Sequence, residues 1–244
     1  MVAGDTCLVR AGAYRETVTP RHSGTASAPI TFRPYKSDRV TVTGTDLVTE
    51  WRRYRGHIYH ARTRANPHLW ADQVFVDSTM MNPAGWPDPG RDLMHPLNAT
   101  AGVSTTATMI CDPHLAVFPI GFWTGAIVHI QSGYGWYANT ATIARSGPSK
   151  TGGCPASSGY VSFPRLAAIA GDPSEPWAYD PIVGNPYRLV VTQSRAAALR
   201  VMRPGQSFYR GGYLYLWYLW TPGRYESRGP CRRHERARPR LRPQ

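Results

Sequence analysis

The first fifty residues alternate apolar and polar positions in four short stretches that recur at a nearly constant spacing. These stretches are residues 6–9, 15–19, 29–32 and 39–43. Alternation of this kind predicts β-strands with one face inside and the other in water, and a period of about 20 to 50 residues is typical of repeat proteins. Val9 precedes Phe32 by 23 positions. The pattern therefore predicts two turns of a parallel β-solenoid, with these side chains pointing inward: Cys7, Val9, Ile30, Phe32, Val40 and Val42.

The repeat stops near residue 44, and short strands separated by Gly, Pro and Ser follow. The predicted strands are residues 58–61, 73–77, 126–130, 160–163, 187–192 and 213–220. The best helical candidate is the Ala-rich stretch at 193–202. We therefore predict an all-β chain in which residues 1–49 form the first coils, residues 50–221 form an inserted, sandwich-like β domain with antiparallel strands, and residues 222–244 form a disordered tail.

Charge is concentrated at the end of the chain. The net charge is +13, and the 28 basic residues include only two lysines, Lys36 and Lys150. Residues 188–244 hold 13 arginines and two glutamates, or +11, which leaves +2 for residues 1–187. The tail's polybasic run at residues 232–242 has no interleaved aromatics, so we predict no nucleic-acid partner. Its Arg- and Pro-rich composition, and the unfamiliar stretch 188–204, favour out-of-frame translation of GC-rich DNA over a specialised basic segment.

A family resemblance rests on several segments that occur in order. The run from Gly4 to Val18, the segment Ala28-Pro29-Ile30-Thr31-Phe32-Arg33, the segment Val40-Thr41-Val42-Thr43-Gly44, and Trp86-Pro87 resemble the N-terminal part of right-handed parallel β-helix proteins of the pectin-lyase-like superfamily. The chain is most similar to the branch in which a β-rich insertion follows the first coils, as in the β-helix β-xylosidases and related bacterial glycoside hydrolases.

The resemblance implies a carbohydrate-active protein that is extracellular or on the cell surface and binds a polysaccharide or oligosaccharide. In such hydrolases the catalytic carboxylates lie on later coils, so we expect this chain to be an inactive N-terminal fragment. A non-catalytic carbohydrate-binding or cell-surface module is the alternative, and a polysaccharide lyase fragment is the third. Lyases of this kind often use calcium, which the resemblance admits as a cofactor. No signal peptide opens the chain, and no apolar stretch reaches the roughly 20 residues of a membrane span.

The residues themselves indicate few chemical sites. Aromatic side chains near Gly- and Pro-rich turns are predicted to contact sugar, because aromatic faces pack on the apolar side of pyranose rings: Trp86, Trp123, Tyr134 and Trp136. The acidic residues fit no motif, so we interpret them as turn or solvent-facing positions: Asp77, Asp88, Asp92, Asp112, Asp172, Glu175 and Asp180. Cys111 and Cys154 allow a disulfide in an exported protein, although we favour free thiols and no metal site.

Overall fold

The computed structural model of the protein describes residues 1–63, 73–76, 79–88, 90, 98–135, 137–149, 153–166 and 180–219. Within these ranges the chain forms two compact units, residues 1–51 and residues 52–219. Strands dominate both units, and the all-β prediction is confirmed. The predicted tail at 222–244 lies outside the described residues.

The first unit contains two parallel strand pairs. Its strands are β1 (Thr6–Val9), β2 (Gly12–Tyr14), β3 (Thr31–Pro34) and β4 (Val40–Val42). β1 pairs with β3 and β2 pairs with β4, both in parallel. Parallel pairing between successive repeats is the feature that the spacing predicts.

Two details of the first unit differ from the prediction. The second strand is Gly12–Tyr14 rather than residues 15–19. Val9 pairs with Pro34 instead of Phe32, a shift of two residues. Because side chains alternate with a period of two, this shift keeps each side chain on its expected face.

The predicted inward face of the first unit is only partly covered. Cys7 and Val9 are half-buried, whereas Phe32 is 46% and Val42 54% exposed. None of residues 1–51 is fully buried. The unit therefore has strand pairing without a closed apolar core of its own.

The described part of the second unit contains three sheets. Its strands are β5 (Arg52–Arg55), β6 (Ile58–Arg62), β7 (Val74–Val76), β8 (Thr79–Pro83), β9 (Gly85–Trp86), β10 (Ala99–Thr100), β11 (Met109–Asp112), β12 (Ile127–Ser132), β13 (Tyr137–Thr142), β14 (Arg145–Pro148), β15 (Gly159–Ser162), β16 (Pro186–Val190), β17 (Gln206–Arg210) and β18 (Tyr213–Trp217). The strand orders are β5-β6-β18-β17-β8-β7, β10-β16-β12-β13 with β9 on β16, and β11-β15-β14. Pairing in these sheets is antiparallel, as predicted, except for the parallel pair β8 and β17.

Two helices complete the second unit within the described residues. A 3₁₀ helix spans Pro113–Val117, and α1 spans Arg195–Val201 inside the predicted 193–202 stretch. The Ser194 hydroxyl accepts a hydrogen bond from the Ala197 amide and caps α1. Within the described residues, no helix is long and apolar enough to cross a membrane.

The core of the second unit lies between its sheets and α1. It is formed by fully buried side chains from both halves of the unit, including Ile110, Val128, Val161, Leu189, Ala198 and Met202. Three of these, from Leu189 to Met202, fall in the stretch that the sequence marked as unfamiliar. This stretch supplies core residues, the end of β16 and all of α1.

A disulfide joins Cys111 and Cys154, whose Cα atoms are 5.6 Å apart. The preferred interpretation of these two residues as free thiols was therefore wrong. The bond links β11 to the segment after β14. Nothing in the sequence indicates that these two parts of the chain are neighbours. Cys7, which was predicted to face inward on its strand, is a free, half-buried thiol.

Candidate functional site

Trp86 is held at the edge of a sheet by backbone pairing. It lies on the two-residue strand β9, opposite Leu189 of β16. The preceding Gly85 is required here, because an added Cβ would collide with the carbonyl oxygen of Leu189. This close approach fixes the backbone of Trp86 and leaves its ring half-buried.

Arg188 braces the segment on both sides of Trp86. Its Nη2 donates to the Pro83 carbonyl oxygen at 2.6 Å, and its Nε donates to the Pro87 carbonyl oxygen at 3.4 Å. Burial lowers the pKa of the Arg188 guanidinium to about 10, while the charge of Asp88 acts in the opposite direction. The side chain stays cationic at neutral pH and therefore remains a donor to both carbonyls.

Among the described residues, three aromatic rings lie near the Trp86 ring. The ring centroids of Phe118, Tyr187 and His114 lie 6.0, 6.1 and 6.5 Å from that of Trp86. Phe118 and Tyr187 support the indole from the core side. His114 has a side chain that is 80% exposed, so the surface around Trp86 combines an apolar ring with a polar one. We refer to Trp86 and His114 as the Trp86 surface.

Asp112 lies beneath this surface and organises it. Its Oδ1 accepts hydrogen bonds from the His114 amide at 2.8 Å and from His114 Nδ1 at 2.9 Å, and its Oδ2 accepts one from the Tyr187 hydroxyl at 2.7 Å. The carboxylate is 2% exposed. Burial, followed by the charge and hydrogen bond of Asp112, raises the pKa of Tyr187. Tyr187 therefore remains a neutral donor to the carboxylate.

The hydrogen bond to Asp112 also determines what His114 can offer a ligand. A neutral imidazole that donates through Nδ1 carries its lone pair on Nε2. Because the ring is exposed, Nε2 can accept a hydrogen bond from a ligand hydroxyl. An indole face beside such an acceptor matches the apolar and polar sides of a sugar ring.

Asp112 corrects one sequence prediction and shows what the sequence analysis missed. We interpreted the acidic residues as turn or solvent-facing positions, but Asp112 is buried and caps the 3₁₀ helix. An Asp directly before a Pro is a helix-start signal, since Pro is favoured at the first helical position. That signal indicates the cap, whereas nothing in the sequence indicates the contact with Tyr187.

The other predicted sugar contacts do not join Trp86 in one surface. Trp123 is 1% exposed and packs edge-on against Phe118 and Phe122, so we assign it to the core. Tyr134 is 72% exposed, in the turn between β12 and β13. Trp136 lies outside the described residues.

Strand register separates Tyr134 from the Trp86 surface. Val128 of β12 opposes Leu189, the partner of Trp86, and β12 continues to Ser132 before the turn begins. Four residues of strand correspond to about 13 Å. A ligand that contacts both aromatic rings would have to be longer than one sugar unit.

No metal centre is formed by the described residues, because they bring no three His, Cys, Asp or Glu side chains together. Of the other predicted acids, Asp88 is exposed, and Asp180 pairs with Arg165 at 2.6 Å. Asp77, Asp92, Asp172 and Glu175 lie outside the described residues.

Comparison with known proteins gives one short match. No model of a known protein family and no solved structure matches the chain. The uncharacterized protein YwoF of Bacillus subtilis (strain 168) is 48% identical to it over 42 residues, which are 17% of this chain and 9% of YwoF. The match shows a shared segment and assigns neither a family nor a function.

Proposed function

We propose that the protein is part of a carbohydrate-active β-helix protein and that its Trp86 surface contacts a sugar ring. The observation that carries the proposal is the indole of Trp86 beside the exposed imidazole of His114, with ring centroids 6.5 Å apart. One face of a pyranose carries C–H groups and its edge carries hydroxyls. The indole of Trp86 can pack on the C–H groups, and Nε2 of His114 can hydrogen-bond to the hydroxyls.

Features elsewhere in the chain support the β-helix and export parts of the proposal. The pairs β1 with β3 and β2 with β4 are parallel, as successive coils of a β-helix require. The disulfide between Cys111 and Cys154 is of a kind that forms and persists in oxidising compartments. Both features agree with an extracellular or cell-surface β-helix protein.

The geometry favours binding over catalysis at the Trp86 surface. Glycoside hydrolysis by the usual mechanism needs a pair of carboxylates on either side of the scissile bond. Asp112 is buried beneath His114 and Tyr187, so it cannot reach a sugar on this surface. In a glycoside hydrolase, the Trp86 surface would therefore position substrate while other coils carry out the chemistry.

A sugar-binding titration tests the proposal. Neutral xylo- and gluco-oligosaccharides are added to the protein, and binding is followed by calorimetry and tryptophan fluorescence. Removing the indole with Trp86→Ala should weaken binding about tenfold, whereas Trp86→Phe should retain part of it. Tyr134→Ala serves as the matched control, since it removes an exposed ring away from this surface. Binding that survives Trp86→Ala and is lost in Tyr134→Ala would place the contact at the β12–β13 turn and reject the proposal.

A further inference from the structure

A second aromatic surface lies on the six-stranded sheet, on strands β5, β6 and β18. The rings of His60 and Tyr213 stack with centroids 5.4 Å apart at 20°, and Tyr54 meets His60 at 5.4 Å and 61°. Tyr54 is 38% and Tyr213 37% exposed. We refer to Tyr54, His60 and Tyr213 as the Tyr213 surface.

Buried and charged neighbours hold these rings in place. Tyr215 is 2% exposed, and its ring meets that of Tyr54 edge-on at 5.4 Å. The Arg195 guanidinium donates to the Tyr215 hydroxyl at 3.4 Å, and its Cζ lies 5.9 Å from the centre of the Tyr54 ring. The rings are therefore ordered before any ligand arrives, which lowers the entropic cost of binding.

Arginines flank the rings on the same side of the sheet. Tyr213 pairs with Arg62 on one neighbouring strand and with Arg210 on the other, and His60 pairs with Arg52. Directly paired residues of antiparallel strands project from the same face. All three arginines are exposed.

The surface has an excess of positive charge that no acidic group among the described residues neutralises. Strands β5, β6, β17 and β18 contain no Asp or Glu. Among the described residues, neither Arg52, Arg62, Arg195 nor Arg210 takes part in a salt bridge. A guanidinium is a planar donor that matches the oxygens of a carboxylate or sulfate. The surface therefore suits an anion that also presents an apolar ring face.

We propose that the Tyr213 surface binds an acidic saccharide, with the sugar ring packed on Tyr213 and its carboxylate or sulfate held by Arg62 and Arg210. The proposal takes the ligand to be a saccharide from the proposed function, but the site is separate from the Trp86 surface. Single-stranded nucleic acid fits less well, because it needs successive free ring faces for its bases. Here the rings pack against one another, and only Tyr54 and Tyr213 are substantially exposed.

The test compares three oligosaccharides of equal length on the whole chain at physiological ionic strength: one of uronic acids, one sulfated and one neutral. The wild-type protein should bind one or both acidic forms. Tyr213→Ala should weaken that binding about tenfold, and Arg62→Met about threefold to tenfold. Arg53→Met is the matched control, because it removes the same charge from β5 at a position that pairs with Tyr59, on the other face.

The outcomes separate this proposal from the previous one. Tighter binding of the uronic-acid form identifies a carboxylate ligand, and tighter binding of the sulfated form identifies a sulfate ligand. Trp86→Ala should leave acidic-sugar binding unchanged, because the two surfaces are separate. For the same reason, failure of the neutral sugars to bind would count against the Trp86 surface and not against the Tyr213 surface. Equal weakening by Arg53→Met and Arg62→Met would overturn the proposal, since it would show unspecific attraction. Tighter binding of a single-stranded oligonucleotide, with the same sensitivity to Tyr213→Ala, would also overturn it.

Discussion

Replacing both cysteines of the disulfide, as Cys111→Ala with Cys154→Ala, should destabilise the second unit substantially. The bond closes a loop with a sequence separation of 43 residues. The chain-entropy relation for a loop of this length gives about 4 kcal/mol at 25 °C. For a unit of this size, that loss corresponds to a fall in melting temperature of about 8 to 16 °C. The loop contains His114 of the Trp86 surface and Trp123 of the core, so part of the site and part of the core lie inside the constrained segment.

Thermal unfolding followed by circular dichroism measures this effect. The wild-type protein is melted with and without a thiol reductant, and the double variant is melted without it. Reduced wild type and double variant should unfold at similar, lowered temperatures. Cys7→Ala is the control, because Cys7 is a free thiol in the first unit. If reduction and the double substitution both leave the melting temperature within about 2 °C of the oxidised protein, the bond does not constrain the unfolded chain as the loop-entropy argument requires.

Three further predictions concern groups around the Trp86 surface. Burial, and then the charge of Arg188, lowers the pKa of His129 to about 4, so its contribution to stability is complete above about pH 6.5 and is lost as the pH falls towards 4. The loss should be on the order of 3 kcal/mol, and His129→Gln should flatten this part of the stability profile in urea titrations. Arg188 does not contact the ligand, but Arg188→Met should weaken neutral-sugar binding about fivefold, because the carbonyls beside Trp86 lose their donor. Arg188→Lys should not restore the binding affinity in the same titration. Asp112→Ala should lower the free energy of unfolding by about 3 kcal/mol and Asp112→Asn by about 1 kcal/mol, as measured by chemical denaturation. Asparagine should cost less because it can still cap the helix and accept a hydrogen bond from Tyr187. Equal losses for the two variants would contradict this reasoning.

The elements that the sequence predicts are those set by local patterns. Alternation indicates β6 to within one residue of its observed bounds and gives the start of β18, which ends at Trp217 rather than at residue 220. The Ala-rich run indicates α1. Parallel pairing of β1 with β3 follows from the repeat spacing. The two-residue error in that register arises because periodicity fixes which face a side chain occupies, whereas turn geometry decides which residues pair.

The site depends on contacts that no local pattern encodes. Asp112 and Tyr187 are separated by 75 residues, and Arg188 and Pro83 by 105. Trp123 shows that a local pattern can also predict the wrong location for a residue. A Trp near a Gly-rich turn is compatible with a surface position, but Phe118 and Phe122 pack around this one and remove it from solvent. Composition identifies the aromatic residues that are available, and only the fold determines which of them reach the surface.

The two aromatic surfaces share one structural support, which affects how substitutions should be interpreted. Pro83 ends β8, pairs with Ser207 of β17 and accepts a hydrogen bond from Arg188. β17 in turn pairs with β18, which carries Tyr213, and the chain continues from Pro83 to Trp86. A substitution in this connection should therefore disturb both surfaces through the backbone. A side-chain change at Trp86 or Tyr213 should affect only its own ligand, so selective loss identifies a contact and joint loss identifies a change in the fold.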